Sequence, residues 1–228
     1  MDIHVVTGFP DLLSPLNESI PGKAQEKNIV TVHCHNIRNY ATDKHMQIDD
    51  YPYGGGAGVI LKPEPIFNCV EHVREKFGLD CPLIYTTPQG KPLTQKLATE
   101  LSFRKQLFLL CGHYKGIDER VKEQLVGEEI SIGDYIITAG ELAAMVIIDS
   151  AVRLIPGVIN DIDSADTDSF QTGLLDYPHY TRPADYRGMK VPEILLSGDH
   201  ARIEAWRYEQ TLQKTRAKRK DLYKKYME

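Results

Sequence analysis

Two glycine-bracketed segments in the middle of the chain have the residue types and spacing of ligand-binding loops. CGHYKGIDERV follows the apolar run Leu107 to Cys111, whose composition predicts a strand buried on both faces. SIGDYIITAGELAA contains a second apolar segment, Tyr135 to Thr138, which we predict to be a neighbouring strand leading into a helix of about four turns. Glycine allows backbone N–H and C=O groups to approach a ligand, so these segments predict main-chain binding of a small molecule. Ordinary turns are the alternative.

A third segment of this kind is YTTPQG, from Tyr85 to Gly90, which we predict to be a loop between a strand and a helix. The three segments lack the GxxxxGK[ST] order of a phosphate-binding loop, and no GxGxxG opens a helix after a first strand. The sequence therefore gives little support to a phosphate-binding loop or a classical dinucleotide-binding site. Because strand, loop and helix follow one another three times, periodicity alone predicts an α/β fold with a doubly wound parallel sheet.

Several separated motifs resemble those of a known family. They are DDYPYGGG, YTTPQG, the two segments described first, DSF from Asp168 to Phe170, and PHYTRP from Pro178 to Pro183. The chain resembles the bacterial tRNA (guanine-N1)-methyltransferases, members of the SPOUT class that modify guanosine 37 beside the anticodon. The resemblance implies a SPOUT-type parallel sheet with a C-terminal trefoil knot, followed by a small helical domain.

The resemblance also implies S-adenosylmethionine as the cofactor, held in the knot mainly by backbone groups. The implied cofactor-binding residues are Tyr85, Thr87, Gly90, Gly112, Tyr114, Gly116, Ile132, Gly133, Asp134, Tyr135, Ile136, Ile137 and Gly140. Lys115 stands where the family commonly has glutamate, and its contact with the cofactor is the one placed in doubt. Ala139 and Ala143 replace a frequent glycine and proline, and their small size predicts that the loop survives with slightly altered geometry.

Methylation of guanine at N1 requires a base, because the N1 proton is only weakly acidic, and a cation that stabilises the charge at O6. By the resemblance, Asp168 is the base and Arg153 is the cation. An ordinary aspartate, with a pKa of about 3.9, suits this role only if burial raises its pKa or the guanine anion is stabilised. Each residue has a structural alternative: Asp168 as a solvated linker carboxylate, and Arg153 as a helix-end arginine on the last carbonyls.

Charge is distributed unevenly along the chain. The net charge is −5, but residues 200–228 carry nine Lys and Arg against four Asp and Glu. A basic tail on an acidic body predicts a region that meets phosphate, with a solvated helix as the alternative. Together with the family motifs, it predicts tRNA contacts at Asp50, Gly54, Gly55, His179, Arg182, Lys214, Arg216, Lys218 and Arg219.

Composition and motifs together predict three regions: an S-adenosylmethionine-binding SPOUT domain at 1–155, an interdomain linker at 156–185 and a helical tRNA-binding domain at 186–228. The resemblance implies a homodimer with shared active sites and methyl transfer helped by Mg²⁺, although no protein motif for a metal is readable. No apolar run is long enough to span a membrane and no signal peptide is evident, which predicts a cytoplasmic protein. The four widely spaced cysteines are expected to be reduced core residues.

Two other functions remain open from the sequence. A SPOUT enzyme that methylates the ribose 2′-OH would not need an aspartate at the DSF position. A noncatalytic RNA-binding module would use the basic tail alone and would have no reason to bind S-adenosylhomocysteine.

Overall fold

The computed structural model describes residues 1–159 and 168–228, which form two compact units, Met1–Asn160 and Asp161–Glu228. Of the predicted linker at 156–185, residues 160–167 lie outside the described ranges. The strands of the first unit are β1 (Asp2–Thr7), β2 (Thr31–Asn36), β3 (Asp49–Asp50), β4 (Ile60–Leu61), β5 (Leu83–Pro92), β6 (Gln106–Cys111) and β7 (Val126–Ser131). Its helices are α1 (Ser19–Glu26), α2 (Pro63–Phe77), α3 (Gln95–Ser102), α4 (Glu119–Leu125) and α5 (Gly140–Val152), with 3₁₀ helices at Pro10–Asn17 and Ile37–Tyr40.

Five of these strands form one parallel sheet in the order β2-β1-β6-β5-β7. Alternate residues of β1 and β6 enter two separate cores, because successive side chains of a strand point to opposite faces. Leu107 and Leu109 pack with residues of α1, α3 and α5, whereas Phe108 and Leu110 pack with residues of α2 and α4. The predicted α/β fold with a parallel sheet and a buried Leu107–Cys111 strand is confirmed.

Local sequence signals mark the ends of several helices. Pro63 is the first residue of α2, and Gly78, with φ of +60°, ends it. The Thr94 hydroxyl accepts a hydrogen bond from the Leu97 N–H at 3.2 Å at the start of α3. The Asp118 carboxylate caps α4 by accepting the Arg120 N–H at 3.0 Å. The helix predicted after the second glycine segment is confirmed as α5, with 13 residues.

Three expectations about local structure are wrong. Tyr135 to Thr138 is a loop rather than a strand, with Ile136 82% exposed, and the last strand of the sheet is β7, just before it. Tyr85 to Gly90 lies inside β5: Thr86 and Lys91 both pair with Ile130, so residues 87–90 bulge from the strand. Cys34 is exposed because β2 is an edge strand, whereas Cys69 and Cys111 are buried.

A cluster of histidines lies where β1 and β2 face α2. The ring of His4, which is 1% exposed, stacks on those of His33 and His35 with centroids 4.6 and 5.3 Å away, and Phe77 covers it at 4.6 Å. His4 Nδ1 and His35 Nε2 share a hydrogen bond of 3.0 Å. The pKa values of His4 and His35 are lowered to about 4, mainly by burial and to a smaller extent by the neighbouring histidines.

In the described part of the second unit, residues 168–228, the chain forms a short antiparallel pair and three helices. These elements are β8 (Asp185–Tyr186), β9 (Met189–Lys190), α6 (Glu193–Leu196), α7 (His200–Lys218) and α8 (Lys220–Met227). The buried Thr215 hydroxyl accepts the Leu175 N–H at 2.9 Å and donates to the Thr211 carbonyl at 2.7 Å, which fastens the segment before the helices to α7. Within the ranges 1–159 and 168–228, no helix is both long enough and apolar enough to cross a membrane.

Candidate active site

A cavity of about 470 Å³ lies at the carboxyl ends of β5, β6 and β7. Its walls are the bulge in β5, the loop after β6, the loop after β7 and the start of α5. The sequence-predicted cofactor residues that line it are Tyr85, Thr87, Gly112, Tyr114, Gly116, Ile132, Gly133, Tyr135, Ile136, Ile137 and Gly140. Ligands of open parallel sheets bind at this edge, where strand-end loops converge.

Hydrogen bonds join the start of α5 to the loop after β6 and to β5. The Gly140 N–H donates to the Gly112 carbonyl at 2.8 Å, and the Thr86 hydroxyl donates to the Gly140 carbonyl at 3.2 Å. A Cβ atom at Gly140 would lie 2.6 Å from Gly112 N and 2.7 Å from Thr86 Oγ1. Glycine at position 140 is therefore required by packing within the protein, rather than by the approach of a ligand as expected from the sequence.

Tyr85 forms the buried wall of the cavity. Its hydroxyl oxygen would lie 2.8 Å from a Cβ atom placed on Gly112, so glycine leaves the room that this ring occupies. Burial, with a smaller effect from Glu129 and Glu119, raises the pKa of Tyr85 to about 12. The phenol therefore remains protonated near neutral pH and is available as a hydrogen-bond donor.

The loop after β7 forms an apolar side of the cavity. Gly133 has φ of +147°, and its N–H and carbonyl both bond to the Ser131 hydroxyl, at 3.2 and 3.1 Å. Tyr135 donates its hydroxyl to the Ile132 carbonyl at 3.2 Å. These bonds tighten the turn, and the following apolar side chains are left facing the cavity and solvent.

Two predicted cofactor residues lie elsewhere. Among the described residues that line the cavity, neither Gly90 nor Asp134 appears. A Cβ atom at Gly90 would lie 2.4 Å from the backbone of Glu129 and Ile130, so this glycine permits β5 to approach β7 closely.

The first turn of α4 adds charge that the sequence analysis missed. Glu119 and Lys122 line the cavity and form an ion pair at 2.8 Å, and the Lys122 ammonium also donates to the Gln89 side chain at 3.3 Å. Their i,i+3 spacing, immediately after the first glycine segment, is the signal that could have identified them. Lys115, the departure noted above, also lines the cavity.

A buried carboxylate lies behind the cavity. Glu141, which is 0% exposed, accepts the Thr7 hydroxyl at 2.5 Å, and its other oxygen lies 3.8 Å from Nδ1 of His113, a residue of the cavity wall. Phe9 packs on the His113 ring at 4.2 Å, and its N–H donates to Thr7. A glutamate inside the apolar helix GELAAMVIIDSAV was the available signal for this network.

Comparisons with known proteins show the family of the chain. A family described as tRNA (Guanine-1)-methyltransferase TrmD matches residues 1–225. The tRNA (guanine-N(1)-)-methyltransferase of Lachnospira eligens is 51% identical over 228 residues, which is 100% of this chain and 97% of that protein. The Brevibacillus brevis protein of the same name is 54% identical over 227 residues, covering 99% of this chain and 92% of that protein.

The chain belongs to the tRNA (guanine-N1)-methyltransferase family. The resemblance stated from the sequence motifs is thereby confirmed, and tRNA is the implied substrate.

In this family member the two predicted catalytic residues belong to different compact units. Arg153 is the C-terminal cap of α5, and its N–H donates to the Asp149 carbonyl at 3.2 Å. Asp168 is half-buried in the second unit, where its carbonyl accepts the Gln171 N–H at 3.3 Å.

The predicted tRNA-binding residues also occur in both units. Asp50, Gly54 and Gly55 lie in and beside β3, and the others belong to the second unit. His179 Nε2 bonds to the Asp176 carboxylate at 2.5 Å, and Arg219 forms a two-point ion pair with Asp221 at 2.6 and 2.9 Å. In the last turn of α7, Arg216 and Lys218 are exposed. Lys214, just before that turn, is half-buried, and Arg182 is exposed farther upstream.

Proposed function

We propose that the protein transfers a methyl group from S-adenosylmethionine to N1 of guanosine 37 in tRNA. The supporting observation is the cavity at the ends of β5, β6 and β7, in a chain whose family methylates guanine in tRNA. At about 470 Å³ the cavity falls within the range of small-molecule sites.

The residues of the cavity suit this cofactor. Gly112 and Gly116 line the wall, Gly116 with φ of +127°, and Tyr85 offers a buried hydroxyl donor. Ile132, Ile136 and Ile137 supply an apolar surface. When bound, S-adenosylmethionine supplies a methyl group already activated by the positive charge on its sulfur.

We assign the remaining chemistry to Asp168 and Arg153. Asp168 accepts the N1 proton, which makes N1 nucleophilic, and the guanidinium of Arg153 stabilises the negative charge that moves to O6. Stabilising the anion lowers the pKa of the guanine N1–H and brings it closer to the pKa of an ordinary aspartate. Within residues 1–159 and 168–228, no group of three or more His, Cys, Asp or Glu is arranged to hold a metal, so we assign no residue to Mg²⁺.

We further propose that residues 1–155 form the cofactor domain with the SPOUT trefoil knot, 156–185 the linker and 186–228 the tRNA-binding domain. The contact between the start of α5 and the loop after β6 supports the knot, because it brings the chain after β7 back against an earlier loop. We also propose a homodimer with shared active sites, acting in the cytoplasm.

Methyl transfer to a tRNA transcript with guanosine at positions 36 and 37, followed by identification of the modified nucleoside, tests the function. The expected product is 1-methylguanosine at position 37. A 2′-O-methylated nucleoside would identify a ribose enzyme, and failure of calorimetry to detect binding of S-adenosylhomocysteine would indicate an RNA-binding module without catalysis.

A further inference from the structure

The loop from Tyr51 to Val59, between β3 and β4, presents two tyrosines to solvent. Tyr51 is 78% exposed and Tyr53 is fully exposed. Gly54, Gly55 and Gly56 follow with φ of +85°, +81° and +113°, and a Cβ atom at any of them would meet nothing within 4 Å. The loop therefore displays two large flat rings beside open backbone.

The base of this loop is held rigidly. Asp49 pairs with Leu61 and Asp50 with Ile60, so the two ends of the loop are joined. Leu61 donates its N–H to the Gly116 carbonyl at 3.0 Å, and its own carbonyl accepts the Asp118 N–H at 3.1 Å. The tyrosine loop is thus attached to the segment that lines the cavity.

A second set of contacts joins the same two segments nearer the tip. The Lys115 N–H donates to the Val59 carbonyl at 3.1 Å, and the Lys115 side chain lies so close to Gly58 that a Cβ atom there would be 3.0 Å from its Cγ. The loop that carries the two rings is therefore anchored at the rim of the cavity, which Lys115 and Gly116 line.

We propose that Tyr51 and Tyr53 stack on the unpaired bases next to the target guanine. Extruding a guanine from a stacked RNA loop exposes the flat faces of its neighbours, and tyrosine rings are suitable platforms for such faces. Two exposed rings on a fixed base, adjacent to the cavity, match this requirement. The inference rests on the proposed function, because its occupant is the loop of a tRNA substrate.

The proposal predicts a loss of affinity that depends on the aromatic ring and not on the hydroxyl. Tyr51→Ala and Tyr53→Ala should each weaken binding of the tRNA transcript by about 5- to 150-fold, the range for loss of one base stack. Tyr51→Phe and Tyr53→Phe should stay within about 3-fold of the wild type, because phenylalanine keeps the stacking face.

Phe103→Ala is the matched control. Phe103 is also a large exposed aromatic, 81% exposed, but it lies just before β6, at the opposite end of that strand from the cavity. Its removal should leave tRNA affinity unchanged. Binding of S-adenosylhomocysteine without RNA should be the same in every variant, since the loop is attached by main-chain bonds that the substitutions keep.

A fluorescent base reports the contact directly. With 2-aminopurine next to the target guanine, binding of wild-type protein should leave the probe quenched by stacking, and the alanine variants should give brighter complexes. Unchanged tRNA affinity in both alanine variants, or equal losses in the alanine and phenylalanine variants, would overturn the proposal. Wild-type protein that binds tRNA without methylating it would instead refute the proposed function.

Discussion

The histidine cluster of His4, His33 and His35 makes the fold sensitive to mild acid. In the folded protein His4 and His35 have pKa values lowered from 6.5 to about 4, so both are neutral at pH 5.5, whereas in the unfolded chain most of each would be protonated. The unfolded state therefore binds more protons between pH 4 and 6.5. Stability is retained above pH 6.5 and is lost progressively as the pH falls toward 4.

The size of the loss follows from the two pKa values. For one histidine, lowering the pH from 7.5 to 5.5 costs about 1.4 kcal/mol of unfolding free energy, and for both about 3 kcal/mol. The second figure is an upper bound, because neighbouring sites titrate together. Asp2 opposes the shift at His4, while Lys76 and His72 reinforce it at His35. A loss of this size is a large part of the 5–15 kcal/mol that stabilises a typical domain.

Urea unfolding at pH 7.5 and 5.5, at one fixed protein concentration, measures this loss. His35→Gln replaces the imidazole with an amide that cannot take up a proton, so its loss should be smaller than that of the wild type by up to about 1.4 kcal/mol. His45→Gln, at an exposed loop histidine, is the control and should behave as the wild type. Carboxylates contribute equally to all three proteins. An equal acid-induced loss in His35→Gln and wild type would refute the reasoning.

Three further predictions concern the site and its substrate. Asp168→Asn should slow single-turnover methylation about 10²–10⁴-fold with cofactor binding retained, and Arg153→Lys should also slow it; a wild-type rate in Asp168→Asn would remove the aspartate as the base. Gly140→Ala should destabilise the protein by about 1–3 kcal/mol in thermal unfolding and weaken binding of S-adenosylhomocysteine in calorimetry, whereas Ser150→Ala in the same helix should do neither. In the basic tail, glutamine would replace Lys214, Arg216, Lys218 and Arg219. These changes should flatten the salt dependence of tRNA binding by up to about 0.9 log units per lost phosphate contact. An unchanged slope would make the tail a solvated helix.

Secondary structure is predicted best from the sequence where every residue of a strand or helix is buried. The Leu107–Cys111 strand lies in the centre of the sheet with helices on both faces, so its apolar run has one interpretation. The error at Tyr135–Thr138 has the opposite cause: its apolar residues border a cavity and solvent, and hydrophobicity alone does not distinguish that setting from a core. The neighbouring strand β7, VGEEIS, escaped notice because it is an edge strand with two glutamates.

The site residues, like the strands, could be predicted only in part from the sequence. The glycine segments were recognised because loops at strand ends are local in sequence, and most of the residues named from them line one cavity. The reason for a given glycine was harder to infer, since Gly90 and Gly140 are required by contacts with residues distant in sequence. The Glu119–Lys122 pair was missed because charged residues at helical spacing are usual on solvated faces.

The strand order also has a consequence for the growing chain on the ribosome. β1 pairs with β2 and β6, and β5 pairs with β6 and β7, so β6 is the strand that joins the two halves of the sheet. About 100 residues separate β1 from β6, and at 5–20 residues per second their synthesis takes about 5–20 s. Throughout that interval one edge of β1 has no partner, and its side chains Ile3, Val5 and Val6, fully buried in the finished fold, lack most of the sheet that covers them. Until β6 emerges, the nascent chain therefore exposes an apolar strand edge with which other chains could pair.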